Sequence, residues 1–219
     1  MPVAEKRNSR YADEVEALAR QDAVLAQIIR RVGPCTLRCS KDHFAALAEA
    51  IIWQQLSWKA AGSIYARFLG AVGSRRPTPA DVSRVSARAL AAAGVSRQKI
   101  AYVKGLARYF EEGRFPSRTI RRHSDEEIID LLTQIKGVGR WTAEMYLMFG
   151  LVRLDVFPAG DLGLKKTIGR HYGFDGVGDP RRLGAVTDCW RPYRTIGSWY
   201  IWASADAVPL ADRSMPARD

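Results

Sequence analysis

Apolar residues recur at helical spacing along most of the chain, and no segment shows the two-residue alternation of a half-buried strand. That pattern predicts an all-α fold. Asp13 to Arg31 reads as one helix stopped by Gly33-Pro34, followed by helices from about Lys41 to Leu56 and from Ser57 to Val72. After the loop GSRRPTP, Thr78-Pro79-Ala80-Asp81 supplies an N-cap, a proline at the first helical position and an acid at the third, for a helix ending at Gly94. Ser96 caps the next, with Ile100, Val103, Ala107 and Phe110 on one face. Ser124 and Glu127 form a capping box ahead of the stripe Ile128, Leu131, Leu132 and Ile135. Further helices are expected over 140–150, 162–171, 179–190 and 194–206, with a frayed start at 1–10. With no internal repeat or low-complexity linker, two lobes would have to come from non-contiguous segments of one domain.

A length of 219 residues allows one sizeable core or two small lobes, and 47% hydrophobic residues exclude a disordered chain. Lys and Arg number 34 against 23 Asp and Glu, a balance of +11 that attracts polyanions, nucleic acid first among them. A basic surface with no such partner remains the alternative on charge alone. No apolar run reaches the roughly 18–20 residues that span a bilayer, and the start MPVAEKRNSRYADEVEAL lacks the apolar core of a signal peptide. An intracellular location and no membrane partner are expected. Cys35, Cys39 and Cys189 are too few and too scattered for a disulfide framework or a four-cysteine metal site.

The segment LLTQIKGVGRWTAEMYLMFG sets two helical runs around a Gly-Val-Gly turn. Glycine permits the positive φ of a tight turn and lets another backbone come close. The second helix begins with N–H groups that lack intrahelical partners and carry partial positive charge, which together favour a phosphate oxygen. Lys136 and Arg140 flank the turn. A plain helix connection with a glycine C-cap is the other reading of the same residues.

The run L-x-x-I-K-G-V-G-R-W-T-A, followed by DVFPAGDLGL at 155–164, resembles the helix-hairpin-helix DNA glycosylase superfamily. AIIWQQLSWKAA at 50–61, GVSRQKIAYVKGLA at 94–107 and WRPYRTIGSWYIW at 190–202 are similar to its alkylated-base branch, the 3-methyladenine DNA glycosylase II type. The similarity runs in order over roughly residues 40 to 205. It implies two helical lobes, about 70–160 and 11–69 plus 161–219, with the hairpin at about 125–150 on the rim of a cleft, and without the N-terminal β lobe of some members.

The resemblance also implies roles. Asp161, 20 positions after Trp141, corresponds to the catalytic aspartate; an N-cap for the helix that follows is what the residue alone suggests. A carboxylate suits cleavage of an N-glycosidic bond, because positive oxocarbenium character builds on the sugar. Asp155 is the weaker candidate. Bifunctional members carry a lysine nucleophile where this chain has Trp141, and an indole cannot form a Schiff base, so no strand-nicking lyase step is expected.

A base must leave the duplex stack before it can react, which requires a pocket and a wedge. Trp141 and Trp202 align with aromatics beside the aspartate, an electron-rich setting for a cationic alkylated purine; Trp53, Met145 and Tyr146 are further pocket candidates. Trp190 and Trp199 read as core. Gln55 or Leu56 takes the wedge position in WQQLSW. Lys136, Gly137, Gly139, Arg140, Thr142 and Lys165 are expected to meet the DNA backbone. The carbonyls of Thr133, Ile135 and Val138 would hold a structural Na+ or K+ if one is bound; no other cofactor is required, and the four-cysteine iron–sulfur loop of other members is absent. The expected partner is double-stranded DNA containing alkylated bases, met by a monomer. Two other readings are a non-catalytic helix-hairpin-helix binding module and a glycosylase for mismatched or oxidised bases. No chemistry is assigned to His43, His123 or His171.

Overall fold

A computed structural model describes residues 10–37, 40, 42–56 and 58–205; the expected frayed start therefore lies outside the described residues except for Arg10. Among the described residues there are twelve α-helices and no strand: α1 Ala12–Gln21, α2 Ala23–Val32, α3 His43–Trp53, α4 Trp58–Val72, α5 Pro79–Arg84, α6 Ala87–Ala92, α7 Arg97–Glu111, α8 Asp125–Thr133, α9 Arg140–Met145, α10 Leu162–Tyr172, α11 Pro180–Asp188 and α12 Arg194–Ala205. The chain falls into two units, one formed by 10–37 with 153–205, the other by 40–152. This moves the expected lobe boundary. Residues 40–69 belong with the hairpin-bearing unit, because α3 packs on α4, α7, α9 and the turn after α9.

Each unit is organised around one helix that is buried on all sides. In the hairpin unit that helix is α3, whose residues Phe44 to Ile52 are all buried. In the other it is α12, buried from Thr195 to Ala203 and packed against α1, α2, α10 and α11. A helix apolar around its whole circumference belongs inside, and these two sequences, FAALAEAII and TIGSWYIWA, have that character.

Two helices read as continuous are broken, each at a residue that can cap. Asp22 ends α1 and accepts the Leu25 N–H at 2.9 Å to start α2. Its carboxylate also accepts from Tyr172 Oη at 2.6 Å and Trp190 Nε1 at 2.9 Å, which ties the α1–α2 joint to the ends of α10 and α11. Likewise Ser86 divides the expected Thr78-to-Gly94 helix by accepting the Ala89 N–H. The caps at Thr78, Ser96 and Ser124 form as their sequences predict, the first and last as full capping boxes. Helix α9 widens into a π turn over Tyr146–Leu151, which ends at Val152 with φ 54°.

Candidate active site and nucleic-acid interface

The hairpin joins α8 to α9 through Gly137, Val138 and Gly139. Gly137 takes φ +93°, and a Cβ there would sit 2.1 Å from the Tyr102 ring, so both backbone and packing demand glycine. Gly139 is different: it is the N-cap of α9 with φ −94° and ψ 175°, and a Cβ there would meet nothing within 4 Å. As a glycine, the N-cap residue has no side chain with which to cap α9. The leading N–H groups of that helix, beginning at Arg140, therefore face a position that glycine keeps open.

Arg140 engages carboxylates. Its Nη1 and Nη2 donate to both oxygens of Glu126 at 3.0 and 2.6 Å, and Nε donates to Glu144 at 3.2 Å. The fork draws the Glu126 carboxyl below its ordinary range, while burial raises that of Glu144 against the pull of the same arginine. Arg140, expected at the DNA backbone, thus has its guanidinium paired with two carboxylates of the hairpin while its side chain stays largely exposed. Thr142, also expected at the DNA backbone, lies in the first turn of α9. It is buried, and its hydroxyl accepts a hydrogen bond from Gln54 Nε2 at 2.8 Å. Lys136 is exposed next to the turn. The carbonyls of Thr133, Ile135 and Val138 lie in the same turn, and that of Ile135 accepts the Val138 N–H at 2.9 Å.

The segment read as the wedge follows α3. Trp53 to Leu56 form a reverse turn closed by Leu56 N–H donating to Trp53 O at 3.3 Å. Gln54 has φ −48° and ψ 131° and Gln55 has φ 56°, the type II pattern, which usually places glycine where Gln55 stands. Gln55 and Leu56 are exposed. Two residues that the sequence reading missed hold this turn. Gln54 Nε2 donates to Gly137 O at 2.8 Å as well as to Thr142, and Lys99 Nζ donates to Ile52 O and Gln54 O, both at 2.7 Å. Burial lowers the Lys99 pKa from the usual lysine range. The signal available was the adjacency of Gln54 to the wedge and the lysine within GVSRQKIAYVKGLA, neither of which names a partner.

Among the aromatic candidates, Trp53 is half-buried at the end of α3 and Trp141 is half-buried in the first turn of α9. Met145 and Tyr146 are buried, Tyr146 only 1% exposed, with its hydroxyl 2.8 Å from His43 Nδ1 and Phe115 edge-on to its ring. Both, read as further pocket candidates, pack within the hairpin unit. His43, to which sequence assigned nothing, is the partner of Tyr146, and burial lowers its pKa.

The other unit carries the candidate carboxylates. Asp161 is the N-cap of α10 and is half-exposed; its Oδ1 accepts the Leu164 N–H at 2.7 Å, and its own N–H donates to Pro158 O at 2.9 Å. The cap fixes the direction of the carboxylate. Lys165 is half-buried within the first turn of the same helix. Asp155 instead binds Arg194 through Nε and Nη2 at 2.7 and 3.1 Å and Arg191 through Nη1 at 2.9 Å, a structural tie between the loop and the start of α12. In α12, Trp202 is buried, as are Trp199 and, ahead of the helix, Trp190. No group of three or more His, Cys, Asp or Glu suited to a metal occurs among the described residues, and no described helix is long and apolar enough to cross a membrane.

Residues 48–192 match the profile of the HhH-GPD superfamily of base excision DNA repair proteins. DNA-3-methyladenine glycosylase 1 of Schizosaccharomyces pombe is 33% identical over 196 residues, covering 89% of this chain and 85% of its own. The alkylbase DNA glycosidase-like protein mag2 of the same organism is 32% identical over 201 residues, covering 90% and 94%. Among solved structures, a DNA-3-methyladenine glycosidase from Bacillus halodurans superposes with a TM-score of 0.68 at 37% identity, over 92% of each chain. The 3-methyladenine DNA glycosylase Mag1 of S. pombe, in complex with abasic DNA, gives 0.75 at 31% identity, over 87% of this chain and 95% of that one.

Proposed function

The chain belongs to the HhH-GPD superfamily of base excision DNA repair proteins, and on that premise we propose that it is a DNA glycosylase that excises alkylated purines of the 3-methyladenine and 7-methylguanine type. It hydrolyses the N-glycosidic bond: the electron pair of that bond leaves with the cationic purine, which departs neutral, the oxygen of water bonds to the sugar carbon, and the water's proton passes by way of Asp161 to solvent, leaving an abasic site. Alkylation at a ring nitrogen makes the purine cationic, so it leaves readily and stacks well on an indole face. The aromatic candidates for holding the base are Trp141 and Trp53 in the hairpin unit and Trp202 in the other. Gln55 or Leu56 fills the gap in the stack. The N–H groups at the start of α9, with Lys136 and Lys165, take phosphate oxygens, which positions the duplex without reading its sequence. The protein acts as a monomer on double-stranded DNA.

Asp161 stabilises the positive charge that develops on the sugar and orients the attacking water. Its cap geometry supports this role: a half-exposed carboxylate aimed by the Leu164 N–H is preorganised, and this observation carries the reading. With Trp141 in place of a lysine, the chain carries out base removal and omits strand cleavage. The carbonyls of Thr133, Ile135 and Val138 fit a monovalent cation, since neutral peptide oxygens are the donors such ions take; bound there, it would add positive charge to the phosphate-facing turn.

Asp161→Asn tests the mechanism. Asparagine caps a helix as well as aspartate does, so the fold and duplex binding persist while the charge is gone. The single-turnover rate of base release then falls on the order of 10²-fold or more. An unchanged rate would remove Asp161 from the chemistry.

A further inference from the structure

The wedge turn and the hairpin have separate tasks in the reading above, one at the base stack and one at the phosphate. Here they share a side chain. Gln54 immediately precedes the wedge, and both hydrogens of its amide are spent on the hairpin, one on the carbonyl of Gly137 and one on the hydroxyl of Thr142, each at 2.8 Å. The carbonyl can only accept, so the chemistry fixes which end of the amide faces the turn. From the other side Lys99 clamps the carbonyls of Ile52 and Gln54 at 2.7 Å, fastening the last turn of α3. Between these anchors Gln55 adopts φ 56°, a conformation costly for any residue with a Cβ and kept only where the surroundings impose it.

We propose that Gln54 and Lys99 are positioning residues that lock the wedge to the phosphate-gripping turn, so that Gln55 and Leu56 enter the base stack at a fixed offset from the phosphate held at α9. The inference rests on the glycosylase reading above and deepens it. A wedge on a loose loop would lose binding energy to its own ordering, whereas one held rigidly against the grip converts phosphate binding directly into unstacking. Neither residue touches the reacting atoms. Their effect passes through the wedge and is confined to substrates whose target base must be extruded.

The test compares single-turnover release of 7-methylguanine from two duplexes, one with the lesion paired to cytosine and one with the lesion in an unpaired bulge. Gln54→Met keeps the length of the side chain and removes both hydrogen bonds. It slows release from the paired duplex about tenfold, the scale of two lost hydrogen bonds, and leaves release from the bulge within about twofold. Lys99→Met gives the same pattern, and Lys99→Arg, which keeps a cationic donor, recovers most of the paired rate. A 2-aminopurine beside the lesion reports unstacking independently, and its fluorescence rise is diminished in Gln54→Met. Equal losses on both substrates would show a merely structural role and overturn the proposal, as would an unchanged paired rate. Should Gln54→Met not fold, the contrast between Lys99→Met and Lys99→Arg decides the matter by the same criteria. If the unaltered protein releases base from neither duplex, the glycosylase reading itself fails, an outcome distinct from any of these.

Discussion

Gly137 and Gly139 stand two positions apart in one turn and answer to different demands. A side chain at Gly137 meets a φ of +93° and the ring of Tyr102, so Gly137→Ala destabilises the hairpin unit by about 1–2 kcal/mol or more, read as a lower unfolding midpoint. Gly139 has ordinary dihedrals and open space at its Cβ, so Gly139→Asp leaves stability nearly unchanged. What it changes is the approach of phosphate: affinity falls for damaged and undamaged duplex alike, in a binding titration at fixed salt. A loss confined to damaged DNA would place this turn in the base pocket. The sequence shows two glycines and cannot tell them apart, because the distinction lies in Tyr102, contributed by α7. Arg140 teaches the same lesson. Its charge and place beside the turn suggest a phosphate contact, yet Glu126 and Glu144, on the two helices of the hairpin, occupy its guanidinium.

At the level of helices, capping chemistry was readable and continuity was not. Thr78, Ser96 and Ser124 announce starts because they precede apolar stripes, whereas Asp22 and Ser86 sit inside stripes that carry on past them. A capping residue within an unbroken period is therefore the signal that would have found both breaks. Asp22 has a further role that no local pattern carries, since its partners Tyr172 and Trp190 lie 150 and 168 positions away in sequence. Burial and the neighbouring carboxylate raise the Tyr172 phenol well above its ordinary pKa, so it remains a donor. Asp22→Ala removes a helix cap and leaves a buried donor, Trp190 Nε1, and a half-buried one, Tyr172 Oη, without their acceptor, a cost of about 2–4 kcal/mol. Asp22→Asn, which still caps, loses less. Chemical denaturation of both variants beside the unaltered protein gives the comparison, and an Asp22→Asn variant as stable as the unaltered protein would mean that the network contributes nothing beyond the cap.

For the whole molecule, a net charge of +11 first suggested a polyanion, but charge alone leaves an enzyme and a binding module equally open. Tryptophan and aspartate narrow that choice. By the family resemblance Trp141 takes the place of a lyase lysine, and Asp161 offers a directed carboxylate that phosphate binding does not require. The chain divides at about residues 38 and 152 rather than at 69 and 160. The apolar run of α3 could have packed with either unit, and only its burial among α4, α7 and α9 assigns it to the hairpin. The central claim is excision of alkylated purines without strand cleavage, and one measurement bears on it most directly. Methylated duplex DNA is incubated with the purified protein, the released bases are separated by chromatography, and the remaining strand is sized under denaturing conditions that spare abasic sites. The account predicts free 3-methyladenine and 7-methylguanine and an intact, abasic strand. DNA binding with no base released would contradict it.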